Sequence, residues 1–164
     1  MQTKNIHTIS FLVANKPGVL VRVAQVFARR GYNIDSLVVS ATMNPQYSRM
    51  TITATGDPQI LDQIIKQSAK LIDVIHASEH TGTDSVDREF ALLKVKCPSN
   101  KRSLILKSLK GKAQVYDEHQ GTLIFGQAGT TQELDAFEAE LRKFGIIEMV
   151  RSGKLVMAKG KEAT

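Results

Sequence analysis

Hydrophobic spacing along the chain switches between the two-residue period of strands and the three-to-four-residue period of helices. His7 to Ala14 is a mostly apolar, β-forming run and predicts a buried strand. Asn15-Lys16-Pro17-Gly18 breaks it, because Pro17 fixes its own φ and Gly18 permits a tight path into the next element. Leu20, Val23, Ala24 and Phe27 then recur at helical spacing until Gly31 supplies a stop. Residues 33–42 and 48–55 alternate as two strands around an Asn44-Pro45 turn. Asp57-Pro58 opens a second helix as N-cap and first-turn proline. Its apolar face is Ile60, Leu61, Ile64, Ile65 and Leu71. Residues 72–78 close the set as a strand. The order βαββαβ folds as two helices on one face of a four-stranded antiparallel sheet.

Residues 81–87, with no apolar period, predict a linker between a domain at 1–80 and a domain at 88–164. The same scheme then recurs: a strand at 88–97, a helix at 100–110 capped by Ser99, and strands at 113–117 and 122–128. Thr130-Thr131-Gln132-Glu133 reads as a capping box. The helix it opens turns Leu134, Phe137, Leu141 and Phe144 inward, and residues 146–150 and 154–158 are strand-like. Gly56–Lys70 and Gly129–Lys143 share five identities in fifteen positions, an echo that supports similar topology in the two halves. The expected class is α+β, two ferredoxin-like βαββαβ domains with antiparallel sheets and helices on one face.

Composition narrows the setting. An apolar fraction of 42% with 23% charged residues is that of a soluble globular chain. No run of 18 apolar residues occurs and the N-terminus lacks an apolar signal core, so a cytoplasmic protein is expected. The single cysteine, Cys97, excludes an internal disulfide and reads as a packed thiol near a strand end. The net charge of +6 divides evenly, eight basic against five acidic residues in 1–80 and fourteen against eleven in 81–164. One local excess stands out: Lys94, Lys96, Lys101, Arg102, Lys107, Lys110 and Lys112 with no acid among them. It is a solvated face or, with Lys101, Arg102 and Lys107 on one short helix, a docking surface for an acidic partner.

Other chemistries find less support. An RNA-binding βαββαβ module needs aromatics on its central strands, and Thr8–Ala14 with Arg49–Thr55 offer only Phe11. A metal sensor would use His76 and His80, but a spacing of four near a strand end is expected to lack the common face it has on a helix. Asp117-Glu118-His119 precedes Gln120-Gly121 and reads as a solvated hairpin turn, so no catalytic residue is expected. No P-loop, Rossmann glycine pattern or metal-ligand cluster occurs.

The segment that carries chemistry is Asn15-x-Pro17-Gly18-Val19-Leu20 with Asn33-Ile34. Amides at a helix start lack partners and lie at the positive end of the dipole, a ready seat for a carboxylate. Gly18 lets a ligand approach the backbone, and the amides of Gly18, Val19 and Leu20 can point at it. Asn15 and Asn33 lie at the end of one strand and the start of the next, neighbours if those strands are adjacent, and both donate and accept, so one can meet an ammonium and the other a carboxylate. Val19, Leu20 and Ile34 are expected as apolar walls for a small aliphatic side chain. A turn with no ligand is the competing reading.

This loop within a βαββαβ unit resembles the ligand loop of ACT domains, which bind amino acids where two domains meet. The stretch from His7 to Thr42, with Arg29-Arg30-Gly31-Tyr32-Asn33-Ile34-Asp35-Ser36-Leu37, resembles the small regulatory subunit of acetolactate synthase. Ser48-Arg49-Met50-Thr51-Ile52, Lys70-Leu71-Ile72-Asp73-Val74 and Arg88-Glu89 extend the resemblance. In the second half it thins to Val115-Tyr116-Asp117, Phe144-Gly145-Ile146 and Arg151-Ser152-Gly153. The resemblance implies a non-catalytic, homodimeric subunit with no cofactor of its own, contacting neither nucleic acid nor membrane. It further implies a catalytic large subunit that carries thiamine diphosphate, Mg²⁺ and FAD and joins two pyruvates, or pyruvate and 2-oxobutanoate. The small subunit raises that activity and confers feedback inhibition by valine, leucine or isoleucine in branched-chain amino-acid biosynthesis. An ACT-type sensor acting on a different partner is the remaining alternative.

Overall fold

The computed structural model describes residues 6–109 and 111–164; expectations that fall on residues 1–5 and on Lys110 lie outside them. By compactness the chain divides into two units, one of residues up to Asp87 together with Gly153–Thr164, the other Arg88–Ser152.

The first unit runs β1 (Ile6–Ala14), α1 (Val19–Arg29), β2 (Ser36–Ala41), β3 (Tyr47–Thr55), α2 (Pro58–Ser68) and β4 (Val74–His80). Its antiparallel sheet has the order β2-β3-β1-β4. Register sets Ile9 against Ile52 and Phe11 against Met50, and these pack on Val23, Phe27, Leu61 and Ile64 as one core. Asp57 caps α2 through its carboxylate, which accepts from the Gln59 amide at 2.7 Å, with Pro58 in the first turn as expected. β2 begins at Ser36 rather than at 33, because Gly31, with φ of 71°, and the segment after it turn the chain onto the end of β3. The other face of this sheet is polar yet buried at Thr8, Ser10, Thr51 and Thr53. Residues 153–164 reach it at two points. Gly153 lies against Ser36 and Val38, and the Arg49 guanidinium donates to the Thr164 carbonyl.

The second unit repeats the scheme with β5 (Ser85–Lys96), α3 (Arg102–Leu109), β6 (Gln114–His119), β7 (Thr122–Gly129), α4 (Thr131–Arg142) and β8 (Ile146–Arg151). Its sheet order is β6-β7-β5-β8; β9 (Leu155–Ala158), off this path, falls in the first unit, as do the opening residues Ser85–Asp87 of β5. Ala91, Leu93, Val95, Leu123 and Phe125 form its core with Ile105, Leu134, Phe137 and Leu141. Thr130 and Glu133 close the capping box in both directions. α3 starts at Arg102, leaving Ser99 outside the cap position, and Asp117–His119 belong to β6 rather than to the turn. The turn itself is Gln120-Gly121, with φ of 47° and 75°.

Residues 81–87, expected as a linker, shorten to a tight turn at 81–84, because the Thr81 amide donates to the Asp84 carboxylate and Ser85 opens β5. Residues 153–164, expected with the second domain, group with the first. The two units also match in backbone detail. Ala14 and Asn15 donate to the Asp73 and Gln46 carbonyls at 2.8 Å each, and Lys96 and Cys97 donate to those of Gly145 and Gly121 at 3.0 and 2.7 Å. A bulge leaves Ile75 unpaired between His76 and Val74, and another leaves Ile147 unpaired between Glu148 and Ile146.

Candidate functional site

The β1–α1 loop has the geometry of an open helix start. Gly18 sits at the N-cap with φ 84° and ψ −10°, and no side chain caps the helix. That left-handed conformation suits glycine, which has no Cβ to clash. Asn15 is fixed at the mouth of the loop, its Nδ2 donating to the Pro45 carbonyl at 3.0 Å and its backbone N–H to Gln46. Pro17 and Leu20 are exposed, whereas Val19, expected as a wall, is buried in the core because α1 turns it toward the sheet.

Arg22, one turn into α1, was not singled out by the sequence. Its Nη1 lies 3.4 Å from where a Cβ on Gly18 would be, and its Nη2 donates to Asp73 at 2.5 Å. A cation thus stands over the bare glycine, held by an acid from the turn before β4. A cavity of about 580 Å³ opens beside it, lined by Asn15, Lys16, Gln46, Tyr47, Ile72 and Asp73 among others. Ile72 is almost fully exposed there.

Asn33 and Ile34 lie elsewhere. β1 and β2 are not adjacent, since β3 runs between them. Asn33 precedes Ser36, which pairs with Thr53, while Asn15 follows Ala14, which pairs with Tyr47. The two asparagines therefore sit at opposite ends of the sheet, roughly 25 Å apart by strand rise. The condition for their being neighbours, adjacent β1 and β2, is therefore not met within one chain: the helix carries the chain back along β1, so β2 starts where β1 started. At that end the Tyr32 hydroxyl accepts from the Asp57 amide at 2.9 Å, and its ring fills the space a Cβ on Gly56 would need. Thr55 donates to Asp35 at 2.7 Å. These contacts hold Asn33, which is exposed, and Ile34, which packs on the core.

The remaining candidates lie outside this loop. The basic run is free of acids along the chain but not in space. Arg102 makes two hydrogen bonds to Glu118 at 2.5 and 2.8 Å, and Lys94 and Lys112 reach Glu148 and Glu140 at 3.1 Å each. The Arg102 bonds hold the Glu118 carboxyl below its usual range. Lys101 and Lys107 are exposed. Cys97 is buried, and burial, with the Glu118 carboxylate, pushes its thiol pKa up. His76 and His80 do share a face of β4, as strand residues an even number apart must, contrary to expectation. They pair with Ser78 and Ser10 at 2.6 Å each. Among the described residues no group of three His, Cys, Asp or Glu is placed to hold a metal ion. No helix among them is long and apolar enough to cross a membrane. Phe11 is fully buried under the helices and offers no stacking surface. Glu89 and Arg151, noted separately in the sequence, form a buried pair at 2.9 Å to which Thr131 donates as well.

A family profile described as the AHAS small subunit-like ACT domain matches residues 9–76, and one described as the small subunit of acetolactate synthase matches 88–160. The chain is 43% identical over 157 residues to the probable acetolactate synthase small subunit of Archaeoglobus fulgidus, covering 95% of this chain and 98% of that one. It is 41% identical over 155 residues to the acetolactate synthase small subunit of Mycolicibacterium smegmatis, at 94% and 91% coverage. The crystal structure of the acetolactate synthase small subunit from Thermotoga maritima matches with a TM-score of 0.82 and 31% identity, over 96% of this chain and 99% of that one.

Proposed function

Because the chain belongs to the acetolactate synthase small-subunit family, we propose that it activates a catalytic large subunit and imposes feedback inhibition by valine or a related branched-chain amino acid. On this reading it is cytoplasmic, and the large subunit carries the thiamine diphosphate, Mg²⁺ and FAD. The observation that carries the reading is the separation of Asn15 and Gly18 from Asn33 and Ile34 to opposite ends of one sheet. A site using both sets takes one from each of two chains. β2 is an edge strand, and Val39 on its helix-covered side is 42% exposed. Antiparallel pairing of two β2 edges about a two-fold axis brings the Asn33 end of one chain toward the Asn15 end of the other. The effector carboxylate then meets the α1 amides at Gly18 and Leu20 beside Pro17, and that of Val19 where it leaves the Lys16 carbonyl, to which it donates at 3.4 Å; its aliphatic side chain meets Leu20 and Ile34.

A thermal-shift screen against the twenty amino acids tests this. A branched aliphatic ligand at a hundredfold its Kd adds about 2.7 kcal/mol, a rise of roughly 10 °C or more for a unit of this size. Sedimentation is expected to give two chains or more. Gly18→Asp is expected to lose the shift while retaining activation of the large subunit, since an anion then occupies the carboxylate's place. No stabilisation by any aliphatic amino acid, or a strict monomer, removes the reading.

Docking on an acidic face of the large subunit is proposed for Lys101, Arg102 and Lys107. Lys101, Leu104 and Lys107 fall three apart on one face of the α3 segment, with Leu104 exposed. Arg102 is already engaged by Glu118. Lys101→Glu with Lys107→Glu therefore tests docking without breaking that pair. Holoenzyme assembly unchanged at both low and moderate salt retires it.

A further inference from the structure

A cation and an anion stand side by side at the β1–α1 loop. The Arg22 guanidinium reaches in two directions. Its Nη2 donates to Asp73 at 2.5 Å, and its Nη1 lies 3.4 Å from the place a Cβ on Gly18 would take. Asp73 in turn lines the cavity of about 580 Å³, and the exposed side chains of Ile72 and Ile75 give that cavity an apolar wall. The Asp73 side chain is 12% exposed and that of Arg22 44%. An ion pair with one partner so open to water does little for stability. Nor does α1 need it, since Val19, Val23, Val26 and Phe27 already bury the helix against the sheet.

We propose, on the premise that the chain binds a branched-chain amino acid at this loop, that Arg22 and Asp73 are the pair that determines its specificity. Asp73 takes the ammonium, and Arg22 takes the carboxylate together with the α1 amides. A free amino acid carries its ammonium and carboxylate on one carbon, next to each other, as this pair presents an anion next to a cation. Laid head to tail on the pair, the zwitterion sets each charge against its opposite. The 2-oxo acid of the same carbon skeleton brings a carboxylate alone. It is repelled by Asp73 and leaves that carboxylate without the donor the site expects. The amino-acid amide brings an ammonium alone and is repelled by Arg22. The distinction has a use. On the same premise the large subunit consumes 2-oxo acids, and a regulatory site that accepted them would answer to substrate instead of end product.

Isothermal titration calorimetry on the full-length chain tests the pair. The titrants are valine, leucine and isoleucine, and the 2-oxo acid and the amide that correspond to each. The wild type is expected to bind its amino acid about tenfold or more tightly than either analogue, since each analogue lacks one charged hydrogen-bonded contact. Asp73→Asn is expected to weaken the amino acid about tenfold or more and to leave the 2-oxo acid unchanged or tighter. Arg22→Gln is expected to weaken the amino acid as much and to leave the amide unchanged or tighter. A pair that only held α1 in place would lower the melting temperature of both variants and keep the ratios among the three ligands. Those ratios kept, or amino-acid affinity within about threefold of wild type in either variant, overturns the proposal and leaves the effector reading standing. No binding of any of the three amino acids by the wild type removes the effector reading and this pair's role with it. If a variant does not fold, the wild-type ratios decide: a 2-oxo acid or amide bound as tightly as its amino acid overturns the proposal.

Discussion

Glycines show at the residue scale what the chain can and cannot change. Gly18 and Gly56 both border the proposed effector site, for different reasons. At Gly18 the constraint is conformational, so Gly18→Ala costs about 1 kcal/mol through left-handed strain while leaving room beside Arg22. At Gly56 it is steric. A methyl there would sit 2.0 Å from the Tyr32 ring, whose hydroxyl is tied to the Asp57 amide. Gly56→Ala is expected to cost about 1–3 kcal/mol by overpacking, read as a lower urea midpoint, and to weaken effector response by displacing Asn33. Gly18 was legible in the sequence as a loop glycine. Gly56 was not, because its reason is a side chain 24 positions earlier. Arg151 is a third case. Its removal leaves Glu89 buried without its counter-ion, and Arg151→Ala is expected to destabilise the chain by about 3–5 kcal/mol, checked by denaturant unfolding.

Helix starts separate what is local from what is not at the scale of elements. The capping box of α4 was readable because its residues lie within one turn of each other. Thr130→Ala is expected to cost about 1 kcal/mol. The backbone and hydroxyl of Thr130 hold the Glu133 carboxyl below its usual range. A carboxyl depressed by folding contributes stability above its unfolded pKa and loses it as pH falls through the folded value. The loss from this group therefore lies below about pH 4, and Glu133→Gln is expected to flatten an acid-melting curve there. α3 is the opposite case. The basic run that spans it, from Lys94 on β5 to Lys112 beyond the helix, looked unpaired because the acids that answer it, Glu118, Glu140 and Glu148, arrive on β6, α4 and β8.

For the whole molecule, residues 153–164 decide the behaviour of the first unit. Removing them strips Arg49 of the Thr164 carbonyl and Asp87 of Lys154, and uncovers Ser36 and Val38 where Gly153 lies against them. A chain ending at Ser152 is expected to melt roughly 5–15 °C lower in its first unit, measured by calorimetry. His80 reports on the same face. Burial lowers its pKa, Arg49 and His76 add to this, and Asp84 and Glu79 oppose it. A histidine lowered by folding stabilises while neutral. Its contribution is whole above about pH 6.5 and drains away as pH falls toward the folded value. Wild-type melting temperature is expected to drop between pH 7 and 5, and less so in His80→Gln.

The sequence by itself determined the number and order of strands and helices, the two βαββαβ rounds, the caps of α2 and α4, and the loop at Gly18. Each of these depends on spacing and on residues within a turn of one another, where backbone geometry leaves few choices. The tertiary structure alone decided which ends of the sheet the asparagines occupy, which acids neutralise the basic run, and which sheet face is polar and yet buried. It also decided that residues 153–164 return to the first unit. These are pairings between residues tens of positions apart. Their register is set by the burial of many side chains at once, which no local pattern encodes.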